Sequence, residues 1–124
     1  MGEDTIAAIA TGAGESAIGI VRLSGATALA VADRIFRPRR GRPLRDRRSH
    51  TVTYGWVTTP AGERVDEALA LVMRGPHSYT GEDVVELQCH GGQLAVRRVL
   101  EQALQAGARL AEPGEFTRRA FLNG

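Results

Sequence analysis

Two charged residues stand where charge is costly. Arg22 lies inside the apolar, β-branched run IGIVRL (residues 18–23), and Glu86 lies inside VVELQC (residues 84–89). An unpaired ionised group in such a strand carries a large desolvation penalty, so each requires a partner. Two arrangements satisfy that requirement. The residues pair with each other, or a ligand presents a donor edge to the glutamate and an acceptor or carboxylate to the arginine. The residues alone leave both open.

The other reactive side chains point to plainer roles. Cys89 and His90 are neighbours at a strand end, where successive side chains face opposite ways, so they do not form a nucleophile–base couple. With His77 they lack the spacing of a metal site. Cys89 reads as a small core residue, and His90 as part of the turn through Gly91 and Gly92. Glu82 and Asp83 read as solvated charges. The glycine-rich stretch GAGESAIG (residues 12–19) matches neither the dinucleotide fingerprint nor the phosphate-binding loop. All 16 basic residues are arginines. Without a lysine these residues hold no standard phosphate-binding loop and no lysine nucleophile or Schiff base.

Charge is distributed unevenly. The formal charge is +2, yet seven of the 16 arginines fall between Arg37 and Arg48 beside a single acid, Asp46. Residues 37–49 also hold two prolines and a glycine, a composition that predicts an exposed, mobile loop. Its guanidinium groups could grip RNA phosphates, but no aromatic residue is interleaved to stack bases. A solvated surface is the simpler expectation.

The elements that must position Arg22 and Glu86 follow from periodicity. Residues 5–11 (TIAAIAT) and 18–23 predict strands, and residues 26–36 predict a helix with Ser24 as N-cap and Pro38 just past its end. Residues 50–58 and 65–73 predict an antiparallel hairpin turning at Pro60, Ala61 and Gly62. Residues 84–89 form a further strand, and residues 93–106 the best helix, with Leu94, Val96, Val99, Leu100, Ala103 and Leu104 at helical spacing and Gly107 as its stop. A short strand at 109–111 and a helical turn from Phe116 complete the chain. The prediction is one α+β domain over residues 1–124, a small mixed sheet with two main helices on one face. Its other face requires cover, which a second copy would supply. The 43% hydrophobic content suits one modest core. The acidic start, the single cysteine and the lack of a long apolar run predict a cytoplasmic protein with no membrane span.

Four segments in order resemble a known family: DTIAAIAT (4–11), GIVRLSG (19–25), SYTGEDVVELQCHGG (78–92) and AEPGEFTRRAFLNG (111–124). They are similar to the N-terminal domain of the tRNA-modification GTPases called MnmE or TrmE. That resemblance implies a fold like the folate-binding part of the glycine-cleavage aminomethyltransferase. It also implies homodimerisation and binding of a reduced folate typified by 5-formyl-tetrahydrofolate. By motif, Arg22 and Glu86 are the implied cofactor-binding residues, with no catalytic or metal-binding residue in this segment. The implied partners are the flavoprotein MnmG (GidA) and tRNA, whose wobble uridine the full-length proteins modify. GTP, Mg2+ and K+ are implied only for the GTPase domain, which like the helical domain is absent from these residues, so the segment itself is not expected to be an enzyme. The sequence departs from the family at residues 11–15 (TGAGE), where a Pro-Pro-Gly-Arg type sequence is usual. It also ends before a folate-associated lysine that follows FLNG. Arg119 and Asn123, in the closing motif, face the pocket or hold the fold together. Two other functions fit the residues: a purely structural dimerisation domain, or an RNA-binding domain using the loop from Arg37 to Arg48.

Overall fold

The computed structural model describes residues 4–10 and 19–124. The turn read over residues 12–18 and the departure at 11–15 lie outside them. In chain order the elements are β1 (Ile6–Ile9), β2 (Gly19–Ser24), α1 (Ala28–Ile35), β3 (Phe36–Pro38), a 3-10 turn (Leu44–Asp46), β4 (Thr51–Thr58), β5 (Arg64–Met73), β6 (Val84–Cys89), α2 (Gly92–Gln105), β7 (Arg109–Leu110) and α3 (Glu115–Leu122). Among the described residues the strands form one sheet in the order β3-β4-β5-β6-β2-β1-β7. Every pairing is antiparallel except β1 with β7, so the sheet is mixed and the fold α+β.

Strand alternation sorts the sheet into two faces. Val21 and Leu23 of β2, Val85, Leu87 and Cys89 of β6, and Ala68, Ala70 and Val72 of β5 are all fully buried. They form one core with Leu29, Val31, Ala32 and Ile35 of α1 and Val96, Val99 and Ala103 of α2. Both main helices thus cover one face. Leu94, expected in the α2 core stripe, is 72% exposed instead, because two residues before Val96 is about 160° around the helix, on the side away from the sheet. The opposite face carries Arg22, Glu86, Gln88, Leu69 and Leu71, half-buried. The third helix, α3, lies over one end of it.

Two local expectations change. Ser24 does not cap α1. It ends β2 with its side chain on the opposite face, and Gly25 at φ +146° turns the chain before the helix starts. The helix N-terminus is instead served across strands, where Thr5 Oγ1 accepts the Thr27 backbone N–H at 3.0 Å and bonds Thr27 Oγ1 at 2.7 Å. Phe36 also leaves the helix, entering β3 opposite Val57, where its ring is buried.

The arginine-rich segment is exposed in its side chains but its backbone is tied down, so the loose loop that composition predicts gives way to a strap. Asp33 accepts the Leu44 N–H at 2.7 Å and the Arg45 N–H at 3.2 Å, while Leu44 is fully buried. Arg47 donates to the carbonyls of Arg42 and Arg40 at 3.0 and 2.7 Å, and Arg74 to those of Arg45 and Arg47 at 2.6 and 2.8 Å. Composition counts charges; it does not show that arginines cap the backbone of their own segment.

The strap hangs on a close approach of β3 to β4. A Cβ at Gly55 would lie 2.2 Å from the Arg37 carbonyl oxygen and 2.7 Å from the Phe36 ring. Backbone cannot yield as a side chain does, so Gly55→Ala is expected to cost about 1–3 kcal/mol of stability. Urea unfolding checks this through a lower midpoint at unchanged slope.

Candidate functional site

Arg22 and Glu86 are direct cross-strand partners in the β2–β6 register. Arg22 Nε donates to Glu86 Oε2 at 2.8 Å, with the side chains 24% and 13% exposed. The pairing that the sequence left open therefore exists. It does not consume either group: the guanidinium keeps its Nη edge and the carboxylate its second oxygen for further hydrogen bonds. Two aromatic rings flank the guanidinium, with centroids 5.3 Å (Tyr79) and 5.4 Å (Phe116) from Cζ. Tyr79 Oη meets Thr117 Oγ1 at 2.9 Å, joining the 75–83 loop to α3. Arg22, Tyr79, Phe116 and Thr117, with Ala8 of β1 and Pro113 before α3, line a cleft of about 390 Å³. Such a place offers a small polar molecule aromatic walls and a guanidinium already oriented by its carboxylate partner.

One wall of the cleft is α3, which is held by an ion network that sequence reasoning missed. Arg119 is fully buried and Glu115 is 1% exposed. Glu115 accepts from Arg109 Nη2 at 2.7 Å, from Arg119 Nη2 at 3.3 Å and from the Glu112 N–H at 2.9 Å. Arg119 Nη1 reaches both oxygens of Glu82 at 3.1 and 3.3 Å, and Ser24 Oγ donates to Glu82 Oε1 at 2.8 Å. Glu82 is thus not a solvated charge, because it neutralises a buried guanidinium. Asp83 is also engaged, accepting the Gly75 N–H at 2.9 Å. Asn123 donates to the Thr80 carbonyl at 2.9 Å. Arg119 and Asn123 both fasten α3 to the loop at residues 80–82. The signal available was the Glu115–Arg119 spacing of i,i+4.

The family described as GTP-binding protein TrmE N-terminus matches residues 5–124. The chain belongs to that family. The tRNA modification GTPase MnmE of Symbiobacterium thermophilum is 90% identical over 124 residues, which is 100% of this chain and 27% of the relative. The protein of the same name from Moorella thermoacetica is 59% identical over 123 residues, and that from Chloroflexus aurantiacus 64% over 121, each covering 98% of this chain and 27% and 26% of the relative. The chain thus spans about a quarter of the length of the curated relatives it matches. Arg22, Glu86, Glu115 and Arg119 all fall within the matched TrmE N-terminus segment.

The remaining reactive groups are occupied in the fold. Cys89 is fully buried, donates to the Leu87 carbonyl at 3.5 Å, and its thiol is pushed up to about 12 by burial, with the Asp66 charge adding to the shift. His77 and His90 are exposed. Asp66 accepts the backbone N–H groups of His90 and Gly91, both at 2.9 Å, and so shapes the turn into α2. Among the described residues no group of three or more His, Cys, Asp and Glu side chains could hold a metal ion, and no helix is long and apolar enough to cross a membrane.

Two outcomes follow. Cys89 is expected to stay unmodified by an aromatic disulfide reagent at pH 8 in the native protein and to react fully in guanidinium chloride, as absorbance of the released thiolate reports. The Glu115 carboxyl is lowered from 4.5 to about 2, chiefly by its hydrogen bonds from Arg109 and against the opposing effect of burial. A depressed carboxylate stabilises the fold above its unfolded value, and that contribution is lost as pH falls from about 4.5 towards about 2. Thermal midpoints should therefore fall across that window. Glu115→Gln should be less stable at pH 7 and show a smaller acid loss.

Proposed function

We propose that this chain is the reduced-folate-binding and homodimerising module of a tRNA-modifying GTPase. The observation that carries the reading is the Arg22–Glu86 pair, set 2.8 Å apart, whose arginine lines an open cleft with Tyr79 and Phe116, in a chain of the TrmE N-terminus family. A reduced folate combines a pterin whose edge offers donors suited to a carboxylate with a glutamate tail suited to a guanidinium. The ligand class is 5-formyl-tetrahydrofolate or a related one-carbon folate. Glu86 holds the pterin edge, Arg22 takes an acceptor, and Tyr79 and Phe116, whose rings bracket the Arg22 guanidinium, wall the cleft beside the ligand. The second copy pairs through a free strand edge of the sheet. In the cytoplasm the whole protein would act with the flavoprotein MnmG (GidA) on the wobble uridine of tRNA. GTP hydrolysis belongs to another part of that protein, since these residues contain no lysine for a phosphate-binding loop.

The short Arg22–Glu86 contact also favours a second reading, in which the pair satisfies itself and the domain is a scaffold for dimerisation alone. Calorimetric titration with 5-formyl-tetrahydrofolate separates the two, with Glu86→Ala and a solution mass by light scattering alongside. The folate reading expects saturable binding that the variant weakens by about tenfold or more, the worth of a charge-assisted hydrogen bond. A folded dimer that releases no heat with the folate overturns it in favour of the scaffold.

A further inference from the structure

The strap of residues 37–49 has a neighbour that the linear sequence conceals. β3 pairs with β4, and the Arg39 N–H bonds the Tyr54 carbonyl at 2.9 Å. Exposed guanidinium groups are thereby laid beside an exposed aromatic ring some fifteen positions further along the chain. Arg39, Arg40, Arg47, Val52, Thr53 and Tyr54 line an open cleft of about 530 Å³.

The side chains there divide by task. Arg47 and Arg74 spend their donors on carbonyls of the strap, and Arg37 on those of Asp33 and Phe36, so these three shape the backbone. Arg39, Arg40 and Arg42 are exposed, and among the described residues none makes an ion pair or donates a side-chain hydrogen bond. Tyr54 is 36% exposed and Val52 56%. The Tyr54 ring is held in place at two points: its hydroxyl donates to Glu67 Oε2 at 2.6 Å, and its edge meets Trp56 with centroids 5.3 Å apart at 64°. A positioned ring beside unspent guanidinium groups suits a base on the ring and phosphates on the arginines.

We infer that this cleft binds single-stranded RNA, with one base stacked on Tyr54 and the adjoining phosphates held by Arg39, Arg40 and Arg42. The choice of RNA over DNA rests on the proposed function; the site itself does not, and lies apart from the Arg22–Glu86 cleft. Sulfated polysaccharide and acidic peptide share the charge but offer no base, so the aromatic ring separates them from RNA. A duplex hides its bases and is disfavoured for the same reason.

Fluorescence anisotropy of the 124-residue chain with a labelled twelve-nucleotide RNA of mixed sequence tests the inference. Three phosphate contacts to a single strand predict a logarithmic salt slope of about −2, or roughly a fifteenfold loss between 50 and 200 mM salt. Replacing Arg39, Arg40 and Arg42 together by serine should abolish binding and flatten the slope. Tyr54→Ser should weaken it by about fivefold or more, whereas Tyr54→Phe, which keeps the ring, should not. RNA should bind at least as tightly as the same sequence of DNA and more tightly than its duplex. The inference is overturned if Tyr54→Ser leaves affinity unchanged, if heparin binds with the same dependence on both variants, if DNA is preferred, or if Tyr54→Ser only dissociates a dimer. Folate titration of the serine triple variant keeps the two readings apart, since loss of RNA binding with folate binding intact concerns this cleft alone.

Discussion

Burying Arg119 is the constraint on which the rest of the site depends. A guanidinium with no exposure is tolerated only where carboxylates surround it, because its desolvation far exceeds what one neutral hydrogen bond returns. Glu115 comes from the same helix and Glu82 from the loop before β6. Glu82 in turn is bonded by Ser24 at the end of β2. A single buried cation thus joins α3, the 75–83 loop and the central strand. Removing one member would strand the others as uncompensated charge, a larger loss than the contact itself.

That junction explains why Arg22 sits in a cleft rather than on a bare sheet. Phe116 follows Glu115, and Tyr79 precedes the Thr80 that bonds Ser24 at 2.7 Å. The two rings flank Arg22 because the residues next to them are fixed by the network. The Arg22–Glu86 pair then has two energetic faces. It keeps both half-buried charges compensated, and it still leaves outward-facing donors and lone pairs for further hydrogen bonds. The electrostatic cost of holding charge in a strand has already been met by the fold. A further hydrogen bond to either group therefore meets a charge that is already compensated.

Elements with a strong period were legible in the sequence. β6 was read residue for residue, α2 to within one position at each end, and the β4–β5 hairpin with its turn at Gly62. The pairing of Arg22 with Glu86 is one of the two arrangements that burial of opposite charges on two β-branched runs leaves open. What escaped notice was non-local. Glu82 read as solvated because its partner lies 37 positions away, and Ser24 read as a cap because the carboxylate it serves is 58 away. The arginine strap misled in the opposite sense. High charge and proline predict looseness only if the backbone must seek water, and here Arg47 and Arg74 satisfy it.

The register places the two clefts on one surface. Val52, Leu71, Glu86, Arg22 and Ala8 are successive cross-strand partners from β4 through β5, β6 and β2 to β1, so their side chains share the face that α1 and α2 leave open. Adjacent strands stand about 4.8 Å apart, which sets β4 and β2 roughly 14 Å from each other. Between them lie Leu69 and Leu71 of β5 and Glu86 and Gln88 of β6, all half-buried, so the intervening surface is apolar on one strand and polar on the next. Tyr54 and Arg22 are thus held on one face with two strands between them. The helices on the far side make that span rigid, because Ala68, Ala70 and Val72 of β5 are locked in the core. One packed sheet thus fixes the spacing between the Arg22–Glu86 pair and the Tyr54 ring beside the arginine strap.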